Sequence, residues 1–329
     1  MHISPNTIAE IHDVDRAAFS AIVAAQQPVV LRGAVRQWSA VAHALDSPEA
    51  ICSYLLACDN GSPVDALLAP ACEKGRLFYR PDMDGFNFAR RQLPVSAVIE
   101  QLARYSQFAD PPAVAVQSAL IDACLPRFGQ EHPMPLLDAA VRPRIWIGNS
   151  ITTPAHFDQS DNLACVVAGR RRFTLFAPDQ VANLYIGPLD FAPTPTPISM
   201  VDFAAPDLVR FPRFSEAMRH ALAADLAPGD AIFIPTLWWH HVQSFGVLNI
   251  LVNYWWQSSE SHPDGADPKH ADATPMAALI AAMAALRAMP PAQRAAWAAM
   301  FQHYVFDASV DPAAHIPAHR QGVLSKVRP

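Results

Sequence analysis

The chemistry in this chain begins at three consecutive residues, His156-Phe157-Asp158. On a strand, the two-residue period puts the imidazole and the carboxylate on one face, where both can meet a divalent metal ion. The pattern alone carries little, because 13 histidines supply roughly one His-x-Asp by chance at ordinary composition. Two more occur, His262-Pro263-Asp264 and His270-Ala271-Asp272. Both lie in SHPDGADPKHADATP, a polar Pro/Gly stretch with no rigid frame, and they read as solvated loop. His156 differs because strand-like runs surround it. His240, after PGDAIFIPTLWW, is the candidate third ligand. Two imidazoles and one carboxylate on one face leave three positions open on Fe(II), which suits oxygen chemistry. By spacing alone His240 also reads as a core histidine in an aromatic cluster.

Those residues need strands to hold them. From 144 onward RIWIG, NLACVVAG, RRFTLFAP, DAIFIP and VLNILVNYWW are strand-like, punctuated by Gly169, Pro178 and Pro228-Gly229-Asp230. Short strands with no helices between them predict an antiparallel sandwich or barrel. The Pro-rich excursion 185–226 is too long for a hairpin loop and reads as a lid or binding loop. Upstream, 13–26 reads as a helix capped by Asp13, PVVLRG (28–33) as a strand, and 47–58 and 94–105 as helices. RLFYRPDMDGFNF, between the last two, is irregular and aromatic. Downstream, Thr274 and Pro275 open a helix that Pro290-Pro291 ends, and AQRAAWAAMFQHYVF forms a second. The plan is an N-terminal helical and mixed segment (1–143) packing on a β core (144–260), then a C-terminal helical region (261–329).

Composition excludes several classes. At 329 residues and 51% hydrophobic, the chain is too apolar for intrinsic disorder. Its net charge of −6 argues against a nucleic-acid partner, which would demand a dense basic face. No run reaches the length of a membrane span, and MHISPNTIAEIHDVDR lacks the basic and apolar regions of a signal peptide. Five scattered cysteines without a CxxC read as reduced thiols, so a cytoplasmic location is expected.

TTPAHFDQSDNLACVVAGRRRFTLFAPDQ (152–180) followed by PGDAIFIPTLWWHHVQSFGVLNILVNYWW (228–256) resembles the JmjC/cupin-like family of Fe(II)- and 2-oxoglutarate-dependent oxygenases. Within it, the chain looks most like the branch holding the asparaginyl hydroxylase that inhibits hypoxia-inducible factor. SMVDFAAPDLVRFPRF (199–214) is also similar to that branch. The resemblance is dense over 145–256 and loose in the N-terminal third. It implies a mainly β fold with flanking helices, built on a double-stranded β-helix (jelly-roll) core. It also implies a hydroxylation of a protein side chain or small molecule, coupled to decarboxylation of 2-oxoglutarate to succinate.

Position by position, the resemblance makes His156, Asp158 and His240 the iron ligands, with His241 on the opposite strand face. Thr153 matches a hydroxyl that binds the 2-oxoglutarate carboxylate, and Asn162 and Asn253 match amides lining the cosubstrate pocket. The cation for the far carboxylate falls at Arg171, where that branch has Lys. A guanidinium can still fork onto a carboxylate, although it is bulkier. Alternation turns Arg170 and Arg172 the other way. The family's tyrosine from an earlier strand is missing from the matching stretch AVAVQSAL (113–120). Trp238, Trp239, Trp255 and Trp256 read as core. The alternatives are a metal-binding cupin-fold scaffold without 2-oxoglutarate turnover, and a cupin enzyme that uses the metal without the 2-oxo acid. A homodimer through 275–305 is expected, because those helices are too apolar all round for a surface position.

Overall fold

The computed structural model describes residues 5–257, 274–307, 309 and 311–321. It divides into two compact units, 1–258 and 259–329. The strand-like runs of the first unit form β7 (Pro143–Gly148), β8 (Thr152–His156), β9 (Asp161–Phe176), β10 (Leu222–Leu226), β11 (Ala231–Ile234) and β12 (Trp239–Trp256). Six strands precede them: β1 (Asn6–Thr7), β2 (Ala9–His12), β3 (Val29–Arg32), β4 (Pro63–Ala69), β5 (Ala89–Pro94) and β6 (Ala113–Leu120). The path through the sheet is β2-β3-β11-β9-β12-β7-β6-β4-β5, with β8 on β12 and β10 on β9 and β1. The 1–143 segment therefore contributes strands to the same sheet as well as helices that cover it.

Two strands are longer than the sequence runs. NLACVVAG and RRFTLFAP are one strand, β9, passing through Gly169 at φ +76°. A Cβ there would lie 2.3 Å from Asn249 Oδ1 and 2.6 Å from the Leu248 carbonyl, so only glycine fits. Likewise β12 runs from Trp239 through an irregular step at Phe245–Ile250 to Trp256. The first half of β9 pairs with β11 and the far half of β12, whereas its second half pairs with β10 and the near half of β12. Two long strands serving two layers give the double-stranded β-helix.

Strand alternation sorts the core. On β9, Leu163, Cys165 and Val167 face one apolar cluster, while Ala164 and Val166 face another. Phe233 and Ile232 of β11 divide in the same way. The outer cluster is covered by helices: Phe19 and Ile22 of Arg16–Ala25, Ile51 and Leu55 of Pro48–Cys58, and Val98 and Leu102 of Val95–Tyr105. Burial on both faces explains why β9 reads as a continuous apolar run. The inner cluster, with Phe173, Val242 and Leu251, lines the barrel interior.

One helix start is corrected. Asp15, not Asp13, caps the first helix by accepting from the Ala18 N–H at 2.8 Å. Asp13 sits outside it at φ +51°. The irregular aromatic stretch anchors the 185–226 excursion: Tyr79 donates to the Phe191 carbonyl at 2.7 Å, and Phe86 stacks on Phe191 at 4.9 Å. Ser199 N–H donates to the Ala155 carbonyl at 2.7 Å, tying the excursion to β8.

In the second unit, Thr274 caps Pro275–Leu286 by accepting from the Ala277 N–H at 3.1 Å, and Pro291–Phe301 follows. Leu279, Ile280, Trp297 and Met300 are exposed. Among the described residues no helix is long and apolar enough to cross a membrane. His262 and His270 lie outside the described residues.

Candidate metal centre

His156 closes β8 and His240 stands at the start of β12, where the two are direct antiparallel partners. Asp158 lies just past β8, and the Leu237 N–H holds its carbonyl at 2.9 Å. One ligand atom from each of the three lies within 4.8 Å of the others. His156 Nδ1 donates to the Pro154 carbonyl at 2.9 Å and His240 Nδ1 to the Trp238 carbonyl at 3.0 Å. A carbonyl only accepts, so each Nδ1 carries a proton, which leaves Nε2 as the atom that can ligate a metal. Burial, then the neighbouring His240, pushes the His156 imidazole down to about 4, which keeps it neutral.

Asp158 is oriented by two donors. Its Oδ2 accepts from Asn162 Nδ2 at 3.0 Å and from Trp255 Nε1 at 2.9 Å. Asn253 Nδ2 in turn donates to Asn162 Oδ1 at 2.7 Å. The amides thus form a relay from β12 through β9 to the carboxylate, which leaves lone pairs free for a cation. The donor set, two imidazoles and a buttressed carboxylate, fits a divalent first-row metal.

A cavity of about 350 Å³ opens onto this cluster. All seven residues assigned from the sequence line it: the three ligands, Thr153, Asn162, Arg171 and Asn253. Arg171 follows the Gly169 turn, and its buried Nε makes no hydrogen bond. Burial pushes its guanidinium down to about 10, so it is cationic at neutral pH but short of solvation. Arg170 is exposed and Arg172 pairs with Asp225 at 2.8 Å, as alternation predicts. His241 faces away from the cavity and stacks on Phe203 at 4.3 Å.

Several cavity residues were missed. Trp255 is more than core, since it holds Asp158. Arg144, Trp146, Gln117 and Ser118 line the same space from β7 and β6. The signal for Arg144 was present: it shares a strand face with Trp146, opposite the core residues Ile145 and Ile147. Pro193, Thr194 and Pro195 of the excursion complete the wall, consistent with its reading as a lid.

A cupin-like domain model matches residues 15–262, most of the chain. The chain belongs to the JmjC/cupin-like family. Its relatives share parts of it. HSPB1-associated protein 1 of Homo sapiens is 37% identical over 120 residues, 36% of this chain and 24% of that protein. Jumonji C domain-containing protein 5 of Drosophila melanogaster is 28% identical over 238 residues, 71% of this chain and 55% of that protein. Lysine-specific demethylase JMJ31 of Arabidopsis thaliana is 36% identical over 104 residues, 32% of this chain and 18% of that protein. The aligned stretches thus span less than two thirds of each of these relatives.

Proposed function

We propose that the chain is an Fe(II)- and 2-oxoglutarate-dependent oxygenase that hydroxylates a protein side chain or a small molecule. Arg171 carries the reading. A buried cation without an anion is costly, and this one lines the same cavity as the His156–Asp158–His240 triad. A dicarboxylate that reaches both the metal and a cation fits that arrangement.

His156 and His240 would hold Fe(II) through Nε2 and Asp158 through its carboxylate. Bound Fe(II) with 2-oxoglutarate supplies the oxidising power to hydroxylate an unactivated C–H bond. The chain's own work is positional. Arg171 forks onto the distal carboxylate while the Thr153 hydroxyl offers a further donor. Phe173, Val242 and Leu251 keep the interior apolar, and the lid residues Pro193–Pro195 limit water. One observation favours the alternative, a metal-binding scaffold without turnover: β6 brings Gln117 and Ser118 to the cavity and no tyrosine.

The deciding experiment is anaerobic addition of 2-oxoglutarate to the Fe(II)-loaded full chain. The weak visible charge-transfer band of an iron–2-oxo acid chelate is expected. Metal binding with no band and no 2-oxoglutarate binding would favour the scaffold. A cytoplasmic location and a homodimer through 275–305 belong to the same proposal, the second supported by exposed Trp297, Met300 and Tyr304.

A further inference from the structure

The charges lining the cavity do not cancel. Its ionisable lining among the described residues is Asp65, Arg90, Arg144, Asp158 and Arg171, beside the two ligand imidazoles. Asp65 and Arg90 neutralise each other as an ion pair between β4 and β5. A divalent ion on Asp158 leaves one positive charge, and Arg171 adds another. Dianionic 2-oxoglutarate cancels both. Arg144 is left over: its Nη1 donates to the Ser118 carbonyl at 2.8 Å, and no carboxylate among the described residues pairs with it.

Two neighbours of Arg144 also have unmet hydrogen-bonding capacity. Trp146, two residues along the same face of β7, has a buried Nε1–H with no acceptor. Asn253, the direct partner of Arg144 across β7 and β12, is 4% exposed and has a buried Oδ1 with no donor. A buried polar group left unpaired costs free energy that a bound ligand recovers. Arg171 is attached elsewhere, opposite Ser244 on the other side of the irregular step in β12. The cavity is therefore lined by two guanidinium groups that enter from different strands, β7 and β9.

We propose that Arg144 and Trp146, with the unpartnered Oδ1 of Asn253 at the border with the cosubstrate pocket that its Nδ2 side serves, form the substrate subsite, and that the substrate carries a carboxylate together with an N–H or O–H donor. An acidic amino-acid unit, free or within a peptide, has that chemistry. The guanidinium forks onto the carboxylate, the indole N–H adds a donor, and Asn253 Oδ1 accepts from the substrate. A subsite built to pair a charge rejects the isosteric neutral analogue. This inference rests on the oxygenase reading, because it assigns Arg171 to the cosubstrate.

The test uses the full chain loaded with Mn(II) and N-oxalylglycine, an unreactive 2-oxoglutarate analogue. N-acetyl-aspartate, N-acetyl-glutamate and blocked tripeptides centred on Asp or Glu are titrated beside their Asn or Gln counterparts. Quenching of Trp146 and Trp255 fluorescence reports occupancy of the cavity. At least one carboxylate probe should bind about ten-fold or more tightly than its amide. That preference should vanish in Arg144→Gln and weaken in Arg144→Lys, which keeps the charge without the fork and serves if the glutamine variant does not fold. Binding of the free acids or of the peptides alone identifies the source of the carboxylate. Equal binding of acid and amide overturns the proposal, as does a preference that survives Arg144→Gln. So does the absence of saturation by any carboxylate probe below about 10 mM. A 2-oxoglutarate constant that rises as much in Arg144→Gln as in Arg171→Gln makes Arg144 a cosubstrate residue and also overturns it. Wild-type protein that binds metal but no 2-oxoglutarate marks the separate failure of the oxygenase reading.

Discussion

His156 and His240 are partners across the β8–β12 ladder, their rings 4.2 Å apart, and the register slips immediately beyond, between His240 and Val242. An irregularity at such a step re-aims side chains. Here it accompanies two imidazoles and one carboxylate with a ligand atom from each within 4.8 Å of the others. His156→Ala is expected to abolish stoichiometric Mn(II) or Fe(II) binding, read by equilibrium dialysis with metal analysis. Full occupancy in that variant would refute the assignment. Replacing His262 and His270 should leave binding unchanged.

The amide relay predicts a graded loss. Asn162→Ala removes a donor to Asp158 and the acceptor for Asn253. Loss of such an outer partner typically lowers metal affinity by about 10- to 100-fold. Because the amides act in series, Asn162→Ala with Asn253→Ala should cost little more than Asn162→Ala alone. Additive losses in metal titrations would show that the relay does not act as a unit.

Arg171→Ala should weaken 2-oxoglutarate binding by at least about 100-fold, since stranding a buried carboxylate costs about 3–5 kcal/mol. Metal affinity should be spared. Arg170→Ala, altering an exposed side chain on the other face, should leave both affinities unchanged. The reverse pattern in calorimetric titrations would put the cation at Arg170.

His132 predicts a pH dependence away from the metal. Its Nδ1 donates to the Phe128 carbonyl at 2.8 Å, and its Nε2 accepts from the Ala40 N–H at 3.1 Å. Ala40 lies in the first turn of Ser39–Asp46, a helix whose cap position, Trp38, offers no side-chain acceptor. Burial lowers the pKa of this imidazole, and a proton on Nε2 would confront both an N–H and the positive helix end. Below the ordinary histidine value of about 6.5 the unfolded chain therefore binds more protons than the folded one, and stability falls as pH falls. His132→Gln, which keeps an acceptor, should flatten this slope in urea unfolding series. His132→Ala should cost about 1–2 kcal/mol at neutral pH. An unchanged slope in His132→Gln would remove the residue from the account.

The proposed dimer is tested by sedimentation of the full chain beside one truncated after residue 270. A dimer is expected for the first and a monomer for the second. A full chain that sediments at 35.9 kDa at micromolar concentration would end the proposal, and a dimer that survives truncation would move the interface out of 275–305.

The ligand set was singled out by the family resemblance and by the strand-like runs around His156, since the His-x-Asp pattern alone occurs three times in the chain. Five helices were legible from apolar period and caps, with Asp15 in place of Asp13 at the first, whereas the short helices Ser39–Asp46, Pro126–Glu131 and Phe214–His220 carry too few turns for a period to show. Continuity was not legible. Gly169 reads as a turn in one dimension, but at φ +76° it lets β9 carry on beneath Asn249. Nor was the role of Trp255, since a tryptophan in an apolar run looks like core until the partner of its Nε1 is known. The relay links Asn253 to Asn162 across 91 positions of sequence, a separation at which local pattern carries no information.

The unbroken course of β9 and β12 has a consequence for how the protein acquires its metal. Asn162 and Arg171 ride on one strand, and His240, Asn253 and Trp255 on the other. On either side of the irregular step in β12, neither strand can fray without opening the ladder that aligns them. The ligand cluster should therefore exist before any ion arrives, in contrast to small metal domains that fold only around theirs. Loading would then proceed as a bimolecular encounter at the cavity mouth, with little change in backbone order. The free energy of that encounter would remain available for holding the ion and for selecting among metals.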